Sequence, residues 1–170
     1  ALLPIKYGQM IIERMLHQLE NNGIQEIVVV VGYKKENSLK IIGEFTKTFK
    51  NINISIAINN EYDTTGTLKS LLIGMDELIK INEDILVVEG DVVCDESIIE
   101  KIVKDGANTV LGDSSRVLDD EAMKYDLDQS GYIHNMSKNL SNDKAVGEAI
   151  GVVRFGANEL SSFLDLSLKI

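Results

Sequence analysis

Cysteine is nearly absent from this chain: Cys94 stands alone, so no internal disulfide can form. Nowhere is there the basic flank and apolar run of a signal peptide, or the roughly 18 consecutive apolar residues of a membrane span. Those absences point to a soluble, reduced, cytoplasmic protein. Basic stretches are missing too, and a formal net charge of -10 excludes a broad attraction to nucleic-acid phosphate. Histidine is scarce: His17 and His134 have no Cys or His partner at zinc-binding spacing, and neither is given a role. The chain has no Gly-rich phosphate loop of the Walker type, no internal repeat and no low-complexity segment.

What is present is enough to build one sizeable core, since 44% of the 170 residues are hydrophobic; one domain is the expectation. The chain opens on Ala1-Leu2-Leu3-Pro4-Ile5 and closes on a helical stretch ending in Leu166, Leu168 and Ile170. Such apolar ends are normally covered by further polypeptide, so the expectation is a piece of something longer.

Between those ends, apolar spacing alternates between helical and extended periods. A helix is expected over 10–21, with Gly23 placed to cap its end, and then a strand over 24–31 that is apolar on both faces. A second helix follows over 37–49 and a second strand over 54–58. After the polar loop 59–66 comes a helix whose Leu68, Leu71, Leu72, Met75 and Leu78 share a face, with Thr67 as its N-cap. A strand over 85–89, a short helix capped by Asp95 and a strand over 108–111 continue the alternation. This order predicts an α/β, Rossmann-like, mostly parallel sheet flanked by helices. The pattern then changes: 122–127 and 132–137 read as a hairpin turned by Asp128-Gln129-Ser130-Gly131, at one edge of the sheet. A returning strand over 149–155 and a helix over 158–170 complete the chain.

Ligands of open parallel sheets bind beyond the carboxyl ends of the strands. Asp91, after the run Ile85 to Gly90, sits at such an end, where a carboxylate suits Mg2+ shared with substrate phosphates. Position alone leaves a metal ligand and a turn residue equally open. The loop Asn59 to Thr67 enters a helix N-terminus, whose free N–H groups and dipole favour an anion, and Gly66 allows close approach to the backbone. Lys138, just past the hairpin, is a point charge suited to a phosphate, or a solvated surface lysine. Cys94 reads as a small buried residue, not a nucleophile.

Taken in order, the segments Leu2-Leu3-Pro4-Ile5, Met10 to Gly32, Asn59 to Leu71, Val88-Glu89-Gly90-Asp91, Ile133 to Lys138 and Gly147-Glu148-Ala149-Ile150-Gly151 carry a resemblance. The chain resembles the nucleotidyltransferases that activate phosphorylated small molecules with a nucleoside triphosphate, and the resemblance covers nearly its whole length. Within that family the loop before Ser70-Leu71, the Ser137-Lys138 pair and the Gly147-Glu148 to Gly151 segment most resemble the phosphocholine and aminoethylphosphonate cytidylyltransferases. The resemblance implies CMP transfer from CTP to a small phosphorylated or phosphonate acceptor, with Mg2+ as cofactor and release of pyrophosphate. It implies that Asp91 holds the metal and that Asn59, Tyr62, Thr65, Gly66, Thr67, Ser70 and Gly90 bind the nucleotide. It further implies that Lys138, with Asp91 a catalytic residue, meets the acceptor's phosphate or phosphonate, and that Glu148 and Gly151 line the acceptor pocket. The family also opens with a strand, a Gly-rich Arg-containing loop and a lysine ahead of the Leu-Leu-Pro segment, none of which is in this sequence; a second metal carboxylate is expected beyond Ile170. Two other readings share the residues: a sugar-1-phosphate transferase using UTP, GTP or dTTP, and an inactive binding module of the same fold. Neither a homo-oligomer nor a fused second domain conflicts with the sequence.

Overall fold

A computed structural model describes residues 2–5, 8–106 and 108–167. Helix α1, Ile11–Asn21, turns Ile11, Ile12, Leu16 and Leu19 inward. It ends where Gly23 takes φ +79°, a left-handed conformation that glycine adopts without a Cβ penalty. Strand β1, Glu26–Val31, runs parallel to β2, Asn53–Ile58, through the crossover helix α2, Lys35–Thr48. Helix α3, Thr67–Leu78, then leads through a short 3-10 turn to strand β3, Ile85–Val88. Helix α4, Glu96–Lys104, follows the Asp95 cap, whose carboxylate accepts from the Ser97 backbone N–H at 3.0 Å. Strands β4, Thr109–Asp113, β5, Lys124–Leu127, β6, Ile133–Ser137, and β7, Gly147–Phe155, precede helix α5, Ala157–Ser167. The expected last turn at Leu168 and Ile170 lies outside the described residues.

The α/β class, the flanking helices and the hairpin of β5 and β6 are as the sequence predicts, but the sheet is not mostly parallel. Among the described residues only β1 and β2 pair in parallel; β7 runs antiparallel to β3, β4 and β5, and β5 antiparallel to β6. The cause is the returning strand. Because β7 enters between β3 and β4, these keep a common direction yet make no ladder with each other. An apolar run carries no sign of direction, so sequence period cannot distinguish the two arrangements.

β7 organises the site edge. Arg154 faces Leu86 on one side and Thr109 on the other, while Glu148 faces Lys124 and Asp113. Hence β3 and β5 occupy the same edge of β7, and β5 begins where β3 stops. The handover falls at Gly151, which takes φ +73° within a β4–β7 irregularity and lets its carbonyl accept from the Glu89 N–H at 2.8 Å.

Two apolar clusters hold the layers together. On one face α1 and α2 bury Ile12, Leu16 and Ile42 with Phe49, Ile52 and Ile54, against Ile27, Val29 and Val31. On the other, Met75 of α3 and Leu160 of α5 meet Ile85, with Leu71 and Val87 alongside. Each fully buried Leu or Ile of this kind contributes about 1.5–3 kcal/mol. Among the described residues no helix is long and apolar enough to cross a membrane.

Candidate active site

The carboxyl ends of β1 and β2 lie side by side, α3 packs on both β1 and β3, and Gly32, Thr67, Ser70, Glu89 and Gly90 line one cavity. Around it stand the Gly32 to Lys34 turn, the 59–66 loop, the start of α3 and the loop from Glu89 to Asp95.

The 59–66 loop is braced from within. Asn59, only 2% exposed, donates from Nδ2 to Ser70 Oγ at 3.0 Å and Thr65 Oγ1 at 3.3 Å, and its Oδ1 accepts from the Glu61 N–H at 2.9 Å. Both amide hydrogens and the carbonyl are therefore engaged within the protein. Thr65 Oγ1 in turn donates to the Glu61 carbonyl at 2.6 Å. Thr67 does not cap α3 as the sequence suggests: it is the first helical residue, and Gly66 is the cap, with no side chain to occupy the first N–H groups. A helix start left open in this way is a ready anion seat.

Tyr62, 43% exposed, closes the loop over β1. A Cβ on Gly32 would lie 2.5 Å from the Tyr62 Cβ, so glycine is needed here for contact, not for backbone freedom. Tyr33 meets Tyr62 edge-on at 6.1 Å and Lys34 Nζ sits 5.2 Å from the Tyr33 ring centre. A small pocket of about 240 Å3 lies here between Gly32, Lys34, Lys35, Asn60 and Tyr62. In the sequence Gly32 stands just past the strand 24–31; its partner Tyr62 lies far along the chain and leaves no local signal.

Asp91 is exposed and makes no hydrogen bond or ion pair with the described residues. Its loop is nevertheless fixed. Arg14 Nη2 and Gln18 Nε2, both on α1, donate to the Cys94 carbonyl at 3.1 Å each, and Asp95 anchors α4. Hydrogen bonds from Ser97 hold the Asp95 carboxyl below the usual range, while burial raises the Cys94 thiol. Gly90 is exposed beside Asp91. Glu89 points back over β7, where a Cβ on Gly151 would come within 2.8 Å of its Oε2. Among the described residues no three His, Cys, Asp or Glu side chains gather as a complete metal cage. One free hard-oxygen carboxylate at a strand end does fit a Mg2+ ion that keeps its waters and substrate phosphates.

Lys138 follows β6 and pairs with Glu121 Oε2 at 2.8 Å; that hydrogen bond raises its pKa. Because β5 continues the edge that β3 leaves, β6 and Lys138 lie on the Asp91 side of β7, one strand further out. Buried Lys124 donates from Nζ to the Lys138 carbonyl at 2.9 Å, fixing the turn. Glu148 pairs with Arg116 at 3.3 Å, and Arg116 also meets Asp113 at 3.4 Å. Neither Glu121 nor Arg116 was anticipated. His17 packs against Phe49 with its ring tilted by 54°, and His134 is exposed on the hairpin.

This fold is shared with solved structures of nucleotidyltransferases. Of solved structures, one from Bacillus anthracis assigned as a glucose-1-phosphate thymidylyltransferase, in complex with a sucrose, superposes with a TM-score of 0.73 over 97% of this chain and 65% of its own, at 17% identity. The inositol-1-phosphate CTP transferase of T. maritima does so with a TM-score of 0.68 over 91% and 60%, also at 17% identity. In sequence, the chain is 29% identical over 101 residues to the CMP-5'-(3-aminopropyl)phosphonate synthase of Streptomyces rubellomurinus. That match covers 59% of this chain and 15% of the longer relative. The chain belongs to the family described as Domain of unknown function (DUF6564), whose model matches residues 6–152.

Proposed function

We propose that the chain forms a cytidylyltransferase site, which transfers CMP from CTP to a small phosphorylated or phosphonate acceptor. The observation that carries this is that Thr67 and Ser70 of the uncapped α3 start and Gly90, next to the unengaged carboxylate of Asp91, line one cavity. Sequence similarity to a CMP-phosphonate synthase favours cytidine and a phosphonate-like acceptor over the sugar-1-phosphate alternative.

In this reading an acceptor oxygen attacks the α-phosphorus of CTP, the bond to the bridging oxygen breaks, and pyrophosphate leaves with that electron pair. No covalent bond to the protein forms. Thr65, Gly66, Thr67 and Ser70 hold the nucleotide against the start of α3, braced by Asn59 and walled by Tyr62, with Gly90 giving close backbone approach. Lys138 holds the acceptor's anionic oxygens at the hairpin side, with Glu148 and Gly151 behind it. Asp91 would hold Mg2+, which supplies neutralisation of the phosphate charge when bound. Positioning and fixed charge are the protein's contribution, as in other phosphoryl chemistry. The net charge of -10 does not oppose this, since lysines and metal act locally.

The test is pyrophosphate release by the protein carrying this chain, supplied with Mg2+, phosphocholine or aminoethylphosphonate, and each nucleoside triphosphate in turn. Release with CTP is the expected result; release only with UTP, GTP or dTTP and a sugar-1-phosphate would select the alternative. No release with any pair would leave a binding module of this fold.

A further inference from the structure

A row of polar side chains crosses four strands. Lys124, at the start of β5, stands opposite Ser137 of β6 on one side and Glu148 of β7 on the other, and Glu148 in turn faces Asp113 of β4. Residues directly opposite in antiparallel ladders share a face, so these four stand side by side. Lys124 is buried, at 4% exposure, whereas its three companions are half-buried.

The charge of Lys124 lacks a counter-charge. Its Nζ donates to the Lys138 carbonyl at 2.9 Å, and no carboxylate of the described residues pairs with it. Glu148, its cross-strand neighbour, is engaged instead by Arg116 at 3.3 Å, and Arg116 is also held by Asp113 at 3.4 Å. An ammonium carries three donors, so two are left over. Burying a charge costs far more than one carbonyl bond returns, and a neutral donor would hold the turn as well. The turn above it is ready for an anion. Ser137 Oγ accepts from the Asn139 N–H at 3.1 Å, which leaves its hydroxyl hydrogen to donate. Lys138 is tied only to Glu121, whose side chain is 87% exposed, and such a surface pair is given up at little cost.

We infer that Lys124 is the second cation of an anion seat at the start of β5, which takes a dianionic phosphate or phosphonate group together with Ser137 and Lys138. Lys124 supplies fixed charge from beneath, little screened by salt because it is buried, and Lys138 closes from the surface. Charge-assisted bonds from two ammonium groups match a group with two negative charges better than one with a single charge. The inference rests on the cytidylyltransferase reading only for the identity of the ligand as that reaction's acceptor. The seat binds a phosphonate whether or not transfer follows.

The test is binding to the protein carrying this chain and to its Lys124→Met variant, which keeps the length of the side chain and removes both charge and donor. The probes are 2-aminoethylphosphonate and its monomethyl ester, which carries one negative charge fewer, in metal-free buffer with and without CTP. The variant is expected to bind 2-aminoethylphosphonate at least tenfold more weakly and to prefer it less over the ester. Its affinity for CTP should be unchanged, and its thermal midpoint should hold or rise, because a buried charge without a partner is gone. Lys124→Gln, which offers the Lys138 carbonyl a neutral donor, should stay as weak as Lys124→Met. Absence of phosphonate binding by the unmutated protein, equal affinity in Lys124→Met, or recovery in Lys124→Gln overturns the inference. So does a joint fall of phosphonate affinity, CTP affinity and thermal midpoint, which marks a purely structural lysine. Binding that depends on Lys124, without pyrophosphate release from any nucleoside triphosphate, upholds the seat and removes the catalytic reading.

Discussion

Asp91→Asn is expected to lower turnover in the protein carrying this chain by on the order of 10^2- to 10^3-fold, the scale seen when one group stabilising transferred charge is lost. The amide keeps the size and one oxygen but not the charge, so metal binding is weakened without a change of shape. Stability should hold, because Asp91 is exposed and unengaged while its loop is fixed elsewhere, by Arg14 and Gln18 on the Cys94 carbonyl. Steady-state kinetics over a range of Mg2+ would show the loss, partly recovered at high metal; thermal denaturation would show an unchanged midpoint. Normal turnover in the mutant removes Asp91 from the reaction.

Gly32→Ala tests the nucleotide wall. The added methyl would fall 2.5 Å from the Tyr62 Cβ, and neither atom is the end of a flexible side chain. Either β1 or the 59–66 loop must move, at a cost of about 1–3 kcal/mol, the usual range for overpacking. The loop yields more easily, since its tie to β1 is the Asn59 N–H on the Val31 carbonyl at 2.8 Å. Denaturant unfolding should show the loss, and nucleotide affinity should fall with it. Tyr62→Gly in the same chain removes the obstructing Cβ and should restore much of the stability; no rescue would mean that the strain lies elsewhere.

These residues also show what the sequence could reveal. Asp91 is legible because an apolar, β-branched run ending in Gly-Asp marks a strand end whatever the sheet order. The α3 start is legible from its periodic leucines, although the cap moves from Thr67 to Gly66, a one-residue change that decides whether the first N–H groups are covered. Gly32 was not legible as a contact residue: its need arises from Tyr62, brought back only by folding. Lys138 was found by its place after the hairpin, but its partner Glu121 and support Lys124 depend on how β5 and β6 pair. The antiparallel course of β7 was hidden for a related reason, since period reports burial and not direction. β1 is apolar on both faces yet only half-buried, and among the described residues β2 alone pairs with it.

The claim that joins these points is that Mg2+ and a nucleoside triphosphate meet on the edge between Asp91 and the start of α3. Backbone amide chemical shifts of the isotopically labelled chain, titrated with CTP in the presence and absence of Mg2+, test it most directly. The account predicts shifts concentrated at residues 65–70 with CTP, and at 89–92 only when Mg2+ is also present. Shifts confined to other surfaces, or changes at 89–92 that ignore the metal, would contradict it.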